Sequence, residues 1–412
     1  MSPLPTPPVR IPRPQRKWAF LALACVSVVL SLTTWFSATA VMPDLVARWG
    51  LGPSAAAWLT NAVQAGFVLG ALTSSALGLP DRIAPHWLMA GAAVIAGLAT
   101  LSLVAEPGIA VAIAARFVTG VALAGVYPSS IKLMASWFQT GRGLALGFLI
   151  GALTLGSAAP HLVRGLGGGL DWRLVLTAAG LLSLIAAAMF AVLLREGPYP
   201  FAKSAGVNMR QIGEIIRNRP VMRANLGYFG HMWELYAMWG WFMAYSAAAA
   251  AQGLDIGNVS LLTFAVIAAG APGCVLGGIL SDRIGRCLTT SLMMTLSGCA
   301  ALLIGVVFDG PTWLFVTVAL IWGLTVVADS AQFSAAVTEL SPPGMVGSAL
   351  ALQMGVGFAL TIVTIWLAPV LAAMIGWRWV FAALAIGPVV GVWAMLTLRA
   401  MPEAAKMAGG KR

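Results

Sequence analysis

The chain has 412 residues, of which 60% are hydrophobic and only 9% charged, and its mean hydropathy is +0.91. A soluble domain carries roughly 25% charged residues, so this composition belongs in lipid and excludes most classes of soluble enzyme. The net charge of +11 would suggest nucleic acid in a soluble protein; in a membrane protein it reflects basic loops gathered on one side, and no nucleic-acid partner is expected.

In chain order, residues 1–17 form a proline-rich tail ending in Arg10, Arg13, Arg16 and Lys17. The apolar run from Trp18 to Met42 follows, interrupted by Thr33, Thr34, Trp35 and Ser37. A signal-peptide core is about 7–15 residues, so this longer run reads as a retained first helix. Further apolar stretches lie at 54–79, 87–104, 108–136, 143–165 and 172–194, then at 221–247, 258–281, 288–308, 312–337, 346–373 and 378–399. A membrane helix needs about 20 residues, so these are twelve spans. The polar segment 195–220, with Arg195, Lys203, Arg210, Arg217 and Arg219, divides them into bundles at 18–194 and 221–399, and a second tail covers 400–412.

With both termini on one side, that side holds 19 of the 24 cations, the other holds Arg48, Arg164, Arg173 and Arg378, and Arg116 falls inside the fourth span. The asymmetry predicts cytoplasmic termini. Alanine-rich and glycine-rich spans with short loops suggest a bacterial inner membrane. Cys25, Cys274, Cys287 and Cys299 show no ligand spacing and read as packing residues, with no metal site.

The halves repeat. Gly78-Leu-Pro-Asp81-Arg82 recurs 201 residues later as Gly277-Gly278-Ile-Leu-Ser-Asp282-Arg283-Ile-Gly285-Arg286, and Asp171-Trp172-Arg173 recurs 205 residues later as Gly376-Trp377-Arg378. Gly143-Leu-Ala-Leu-Gly recurs 204 residues later as Gly347-Ser-Ala-Leu-Ala. Six spans per half bring the second copy in with the same orientation, so the repeats are parallel.

These residues resemble the major facilitator superfamily of transporters. Gly278 to Arg286 is similar to that family's loop signature, with a degenerate copy at Asp81-Arg82; Arg116-Phe-Val-Thr-Gly120 resembles its motif in the fourth helix, and Gly151 to Pro160 its glycine–proline motif in the fifth. The overall look is similar to permeases of the nitrate/nitrite and cyanate branch, although nitrate carriers there place an arginine within the second and eighth helices and this chain has none away from the loops. The resemblance implies an all-α fold of twelve transmembrane helices, in two six-helix bundles related by a pseudo-two-fold axis along the membrane normal. Asp81, Arg82, Gly278, Asp282, Arg283, Gly285 and Arg286 are then gating residues: glycines for close approach, and an Asp and Arg pairing at a helix end.

Charges inside a span cost about 2.5–3.5 kcal/mol on insertion scales and are functional candidates. They are Arg116 in the fourth span, His231 and Glu234 in the seventh, and Asp329 in the tenth. Arg116 cannot lose its proton, so it must meet an anionic substrate, a carboxylate or backbone carbonyls; the resemblance adds a link to proton coupling. Tyr228 and His231 share a helical face with Glu234 at its edge, and a carboxylate there, tuned by the histidine, suits proton coupling or else pairs with it as packing. Asp329 is a second proton or cation site, or a partner for Arg283 and Arg286. Trp35, Asn61, Gln64 and Tyr127 join Arg116, Tyr228 and His231 as candidate substrate contacts. His161, beside Pro160, is expected at the outer interface.

There is no phosphate loop, metal cluster or hydrolase motif. The expectation is no enzymatic activity and no cofactor, with a proton or other ion gradient as driving force. The expected activity is secondary active transport by alternating access, as proton-coupled uptake of a small organic or inorganic anion by a monomer in the lipid bilayer. Proton-driven efflux of hydrophobic compounds is the alternative, and a non-transporting membrane sensor or assembly partner the alternative of another class.

Overall fold

A computed structural model describes residues 14–138, 142–168, 171–199 and 209–411. Arg10, Arg13 and Lys203, and the side chains of Asp81 and Arg210, lie outside the described residues. The described chain is helical throughout. The first bundle contains α1 (Pro14–Leu32), α2 (Pro53–Ala76), α3 (Pro85–Ala105), α4 (Ile109–Ala135), α5 (Gly143–Leu166) and α6 (Trp172–Leu193). The second contains α7 (Arg219–Ala251), α8 (Val259–Ile284), α9 (Arg286–Val306), α10 (Thr312–Leu340), α11 (Val346–Ile375) and α12 (Trp377–Arg399). Ten of these are long and apolar enough to cross a membrane. The other two are α1, which stops at Leu32, and α7, whose interior carries His231 and Glu234.

The outward faces display Leu69, Ile95, Val192, Leu303 and Val389, as expected where lipid replaces water. Inside, the two bundles pack alike. The second helix of each packs on the fourth (α2 on α4, α8 on α10), the third on the sixth (α3 on α6, α9 on α12) and the first on the fifth (α1 on α5, α7 on α11). The bundles meet along two matching seams, α2 against α11 and α5 against α8. This is the pseudo-two-fold arrangement that the repeat implies.

Glycines make the closest crossings possible. A Cβ on Gly120 of α4 would strike the Val63 carbonyl of α2, and one on Gly323 of α10, 203 positions later, would strike the Val266 carbonyl of α8. Without a hydrophobic drive between helices in lipid, such backbone approach supplies the packing contact.

Three spans are interrupted where they face the centre. The first breaks at residues 33–36, and its continuation runs through Ser37–Ala40 and Met42–Trp49. α4 breaks at residues 124–126 and α10 at 326–329, so that Tyr127 and Ser330, again 203 apart, each open a new helical segment. In α4 Gly125 weakens the turn and Pro128 removes a donor.

At the end opposite the termini the pair Arg173–Glu106 of the first half recurs in the second as Arg378–Asp309. Glu106 accepts from Arg48 at 3.0 Å and pairs with Arg173; in the second half Arg378 holds both oxygens of Asp309 at 3.0 and 3.1 Å. Hydrogen bonding by Arg48 keeps the Glu106 carboxyl below the usual glutamate range. At the terminal end the structure shows more order than a polar link and a tail. Met209–Arg217 is a short helix whose Gln211 accepts from Ser348 at 2.8 Å, and the segment Pro402–Gly410 buries Ala404 and Met407 against α10.

Overpacking a crossing costs roughly 1–3 kcal/mol. Gly120→Ala and Gly323→Ala are therefore expected to lower the unfolding midpoint of the detergent-purified protein by several degrees. Gly91→Ala, where a Cβ meets nothing within 4 Å, should not lower it. Equal midpoints for all three variants would contradict the crossing geometry.

Candidate functional site

The break in the first span frees backbone carbonyls that no i+4 amide can reach. Arg116, fully buried on α4, fills that gap: Nη1 donates to the Thr34 carbonyl at 2.7 Å and to Ser37 Oγ at 3.3 Å, Nη2 donates to the Trp35 carbonyl, and Nε donates to Leu59 of α2 at 3.2 Å. Among the alternatives open to Arg116, the carbonyl pairing is the one observed. The guanidinium stands behind the Trp35 backbone and does not line a cavity.

The cavity between the bundles is almost closed, at about 30 Å³. Its wall contains Trp35, Phe67 of α2, Tyr127 of α4, Tyr228, Tyr236 and Trp239 of α7, Ser330 of α10 and Phe358 of α11. Candidates Trp35, Tyr127 and Tyr228 are thus brought together. The rings close over one another, Phe67 lying 4.3 Å from Phe358 and Trp35 stacking on Tyr236 at 5.7 Å between centroids. Beyond this plug, toward the end opposite the termini, opens a vestibule of about 440 Å³ between the halves, lined by Thr39, Met42, Thr60, Trp241, Met243 and Trp377 among others.

Candidates Asn61 and Gln64 lie between the two spaces. On α2, Thr60 faces the vestibule, Phe67 faces the central cavity, and Gln64 sits one turn from each. Asn61 donates across the seam to the Ile362 carbonyl of α11 at 3.2 Å. Both amide atoms of Gln64, Oδ1 of Asn61 and the indole N–H groups of Trp35 and Trp239 are buried without a hydrogen-bond partner. Each such group costs about 1–3 kcal/mol, so their concentration at one level needs a reason.

The face of α7 that meets the cavity carries Tyr228, Met232, Leu235, Tyr236 and Trp239. At 100° per residue, His231 lies about 80° and Glu234 about 140° from the middle of that face. His231 is therefore corrected from a cavity contact to a residue behind the wall. Its Nδ1 lies 2.9 Å from Asp329 Oδ1, both side chains at most 2% exposed, with the Tyr228 and Phe333 rings beside it. Glu234 faces into the second bundle, where Trp322 Nε1 donates to Oε1 at 2.7 Å and Ser297 Oγ donates to Oε2 at 2.9 Å. The mutual tuning expected of His231 and Glu234 does not occur, because three residues of helix aim them at different neighbours.

Asp329 is likewise not the partner of Arg283 and Arg286. Arg283 is exposed; Arg286 grips Glu339 of α10 through Nε at 3.3 Å and Nη2 at 2.8 Å, and donates through Nη1 to Gln332 and Ser281. Glu339, about two turns nearer the helix end than Gln332, is simply within reach. Gly285 has φ +91°, which lets α8 stop and α9 start at once, and Gly278 lies 3.5 Å from the Gly143 carbonyl by its Cβ position. The Asp282 carboxylate stands at the amino end of α5, 3.5 Å from where a Cβ on Gly143 would lie, while its backbone carbonyl receives Lys411. Arg82 is exposed. His161 is buried with both ring nitrogens unpartnered, against the expectation of an interfacial position. Trp322, Ser297 and Tyr236 carried no sequence signal, since an uncharged residue inside a span looks like packing, and Glu339 falls just past the end of the tenth apolar stretch. Among the described residues no group of His, Cys, Asp or Glu could hold a metal ion.

Two six-helix bundles with parallel repeats, broken helices facing the interface and a cavity between them define a class of polytopic membrane protein. The sequence model of the Major Facilitator Superfamily matches residues 24–254 and 235–411, and the chain belongs to that superfamily. It is 24% identical over 223 residues to a probable sulfoacetate transporter of Cupriavidus necator, covering 50% of this chain and 51% of that protein. It is 23% identical over 288 residues to a niacin transporter of Acinetobacter baylyi, covering 60% and 63%, and 27% identical over 173 residues to an MFS-type transporter of Aspergillus terreus, covering 40% and 55%. The matched region spans about half to three fifths of the length of these relatives.

Lysine cannot reach the four acceptors that the Arg116 fork serves. Arg116→Lys is expected to cost roughly 2–4 kcal/mol of stability through orphaned carbonyls, read as a fall in the detergent unfolding midpoint. An unchanged midpoint would remove the bracing role.

Proposed function

We propose that the protein is a secondary active transporter that moves a small organic anion by alternating access, coupled to protons. The observation that carries this reading is the aromatic cavity enclosed between two pseudo-symmetric bundles, closed at one end by ring contacts and at the other by the seam at Gly143 and Asp282. Membership of the superfamily and relatives named for sulfoacetate and niacin, both small organic acids, support it. The excess of cations at the terminal end supports cytoplasmic termini in a bacterial inner membrane.

The proton falls to the His231–Asp329 pair. A histidine and a carboxylate at 2.9 Å in a dry interior hold one proton between them or bind a second, and Asp329 directly precedes cavity residue Ser330. Its protonation state therefore bears on the α10 break, where the cavity wall is made. Glu234, held by two donors deep in the second bundle, braces α7 against α9 and α10. Opening at either end would part the seams, including Asp282 from the amino end of α5. Efflux of hydrophobic compounds is the second reading, favoured by the largely apolar vestibule.

The test uses purified protein in liposomes with a trapped pH dye and a panel of small organic acids. Inward acidification with one acid is expected; Asp329→Asn should abolish it while leaving counterflow exchange within about threefold, since exchange needs no net proton. Glu234→Gln should lower stability and leave the pH dependence in place. Proton movement undiminished in Asp329→Asn would end the assignment to that pair, and proton efflux driven only by lipophilic compounds would favour the second reading.

A further inference from the structure

Five polar atoms at the junction of vestibule and cavity need an occupant. Gln64 Nε2 and Oε1, Asn61 Oδ1, Trp35 Nε1 and Trp239 Nε1 are all without partners, and their residues are at most 2% exposed. Each lies beside the vestibule or the central cavity rather than against lipid, so atoms left without a protein partner at the meeting of two halves mark a place where a ligand can make the missing bonds. Their neighbours are rings. Trp35 stacks on Tyr236, Phe67 and Phe358 lie beside Trp35, and Trp239 meets Tyr236 edge-on at 5.7 Å.

We infer that this junction is the substrate position, and that it takes a flat, aromatic acid bearing a single negative charge. The inference rests on the transport reading above and deepens it. The cavity wall offers a carboxylate the indole N–H groups of Trp35 and Trp239 and the hydroxyls of Tyr127, Tyr228, Tyr236 and Ser330, with the unpartnered Gln64 amide one turn of α2 from lining residue Phe67; no cation lines the cavity. Arg116, which donates to the Trp35 carbonyl, already serves three carbonyls. Neutral donors can replace the hydration of one delocalised charge, whereas a second charge would be buried with no countercharge. The wall also sets the shape. Ring pairs that stack or tilt at 4.3 to 6.1 Å when closed can part to admit another flat ring, which offset stacking and edge contacts would then hold. A saturated ring of equal charge is thicker and forfeits those contacts. A cation would meet ring faces, but also a row of hydrogen-bond donors aimed at positive charge.

Binding to the purified full-length protein in detergent, read by calorimetry, tests this separately from transport. Benzoate is expected to bind at least tenfold more tightly than cyclohexanecarboxylate, and succinate and benzyltrimethylammonium not to bind measurably. Gln64→Leu, which keeps the volume and removes the polar atoms, and Trp35→Phe, which removes the indole N–H together with one ring of stacking area, should each weaken benzoate tenfold or more, while unfolding midpoints within a few degrees of the parent show that the fold is intact. Succinate binding as tightly as benzoate, or benzyltrimethylammonium binding in its place, would overturn the assignment, as would full benzoate affinity in both variants. Selective benzoate binding without uptake in liposomes would uphold the site and end the transport proposal. Proton-coupled uptake of a dianion without benzoate binding would do the reverse.

Discussion

In a bilayer every backbone N–H and C=O must find its partner within the protein, and that constraint governs this structure more than any single contact. A continuous helix meets it automatically. The first, fourth and tenth spans do not stay continuous, and each break has to be satisfied from elsewhere. The clearest case is the first: Arg116 donates to the freed carbonyls of Thr34 and Trp35 and anchors the break further through Ser37 Oγ and the Leu59 carbonyl of α2. The cation in turn has found the carbonyl end of α1, where the helix dipole is negative. A buried arginine and an unwound turn are each costly alone and compatible together.

The two bundles share a frame and fill it with opposite chemistry. Gly120 and Gly323, Glu106 and Asp309, Tyr127 and Ser330 occupy matching places. Yet the core of the first bundle holds a permanent cation on its fourth helix and one histidine, His161, and the core of the second holds both carboxylates, Glu234 and Asp329, with His231. A repeat constrains backbone crossings, where only glycine fits. It leaves the side chains behind the cavity wall free to diverge.

Much of this was legible in the sequence, and the boundary of legibility has a physical form. Ten of the twelve apolar stretches read from hydropathy are helices long and apolar enough to cross a membrane, because lipid imposes length and polarity on each one separately. The repeat was legible in Asp171-Trp172-Arg173 and Gly376-Trp377-Arg378, where turns and ion pairs need particular residues. Pairings were not. Glu234 could be singled out by its cost in lipid, but Trp322 and Ser297, which hold it, are unremarkable residues on other helices. Likewise Arg286 was expected to find Asp329 and instead grips Glu339, a choice fixed by the rise along α10. A sequence shows which groups require partners; the crossing of helices decides who they are.

The placement of charge relative to the cavity carries the largest consequence for mechanism. Arg116, His231, Glu234 and Asp329 are absent from the cavity lining; Arg116 lies behind Trp35, His231 behind Tyr228, and Asp329 directly precedes Ser330. In the proposed proton-coupled transport, linkage between substrate and the His231–Asp329 pair would pass through the wall, and the α10 break at residues 326–329 joins that pair to cavity residue Ser330. A neutral Asp329 and an ionised one bind His231 differently, and so favour different geometries of the turn that carries Ser330. A ligand that also prefers one geometry is then linked to the proton with equal strength in both directions, as thermodynamic reciprocity requires.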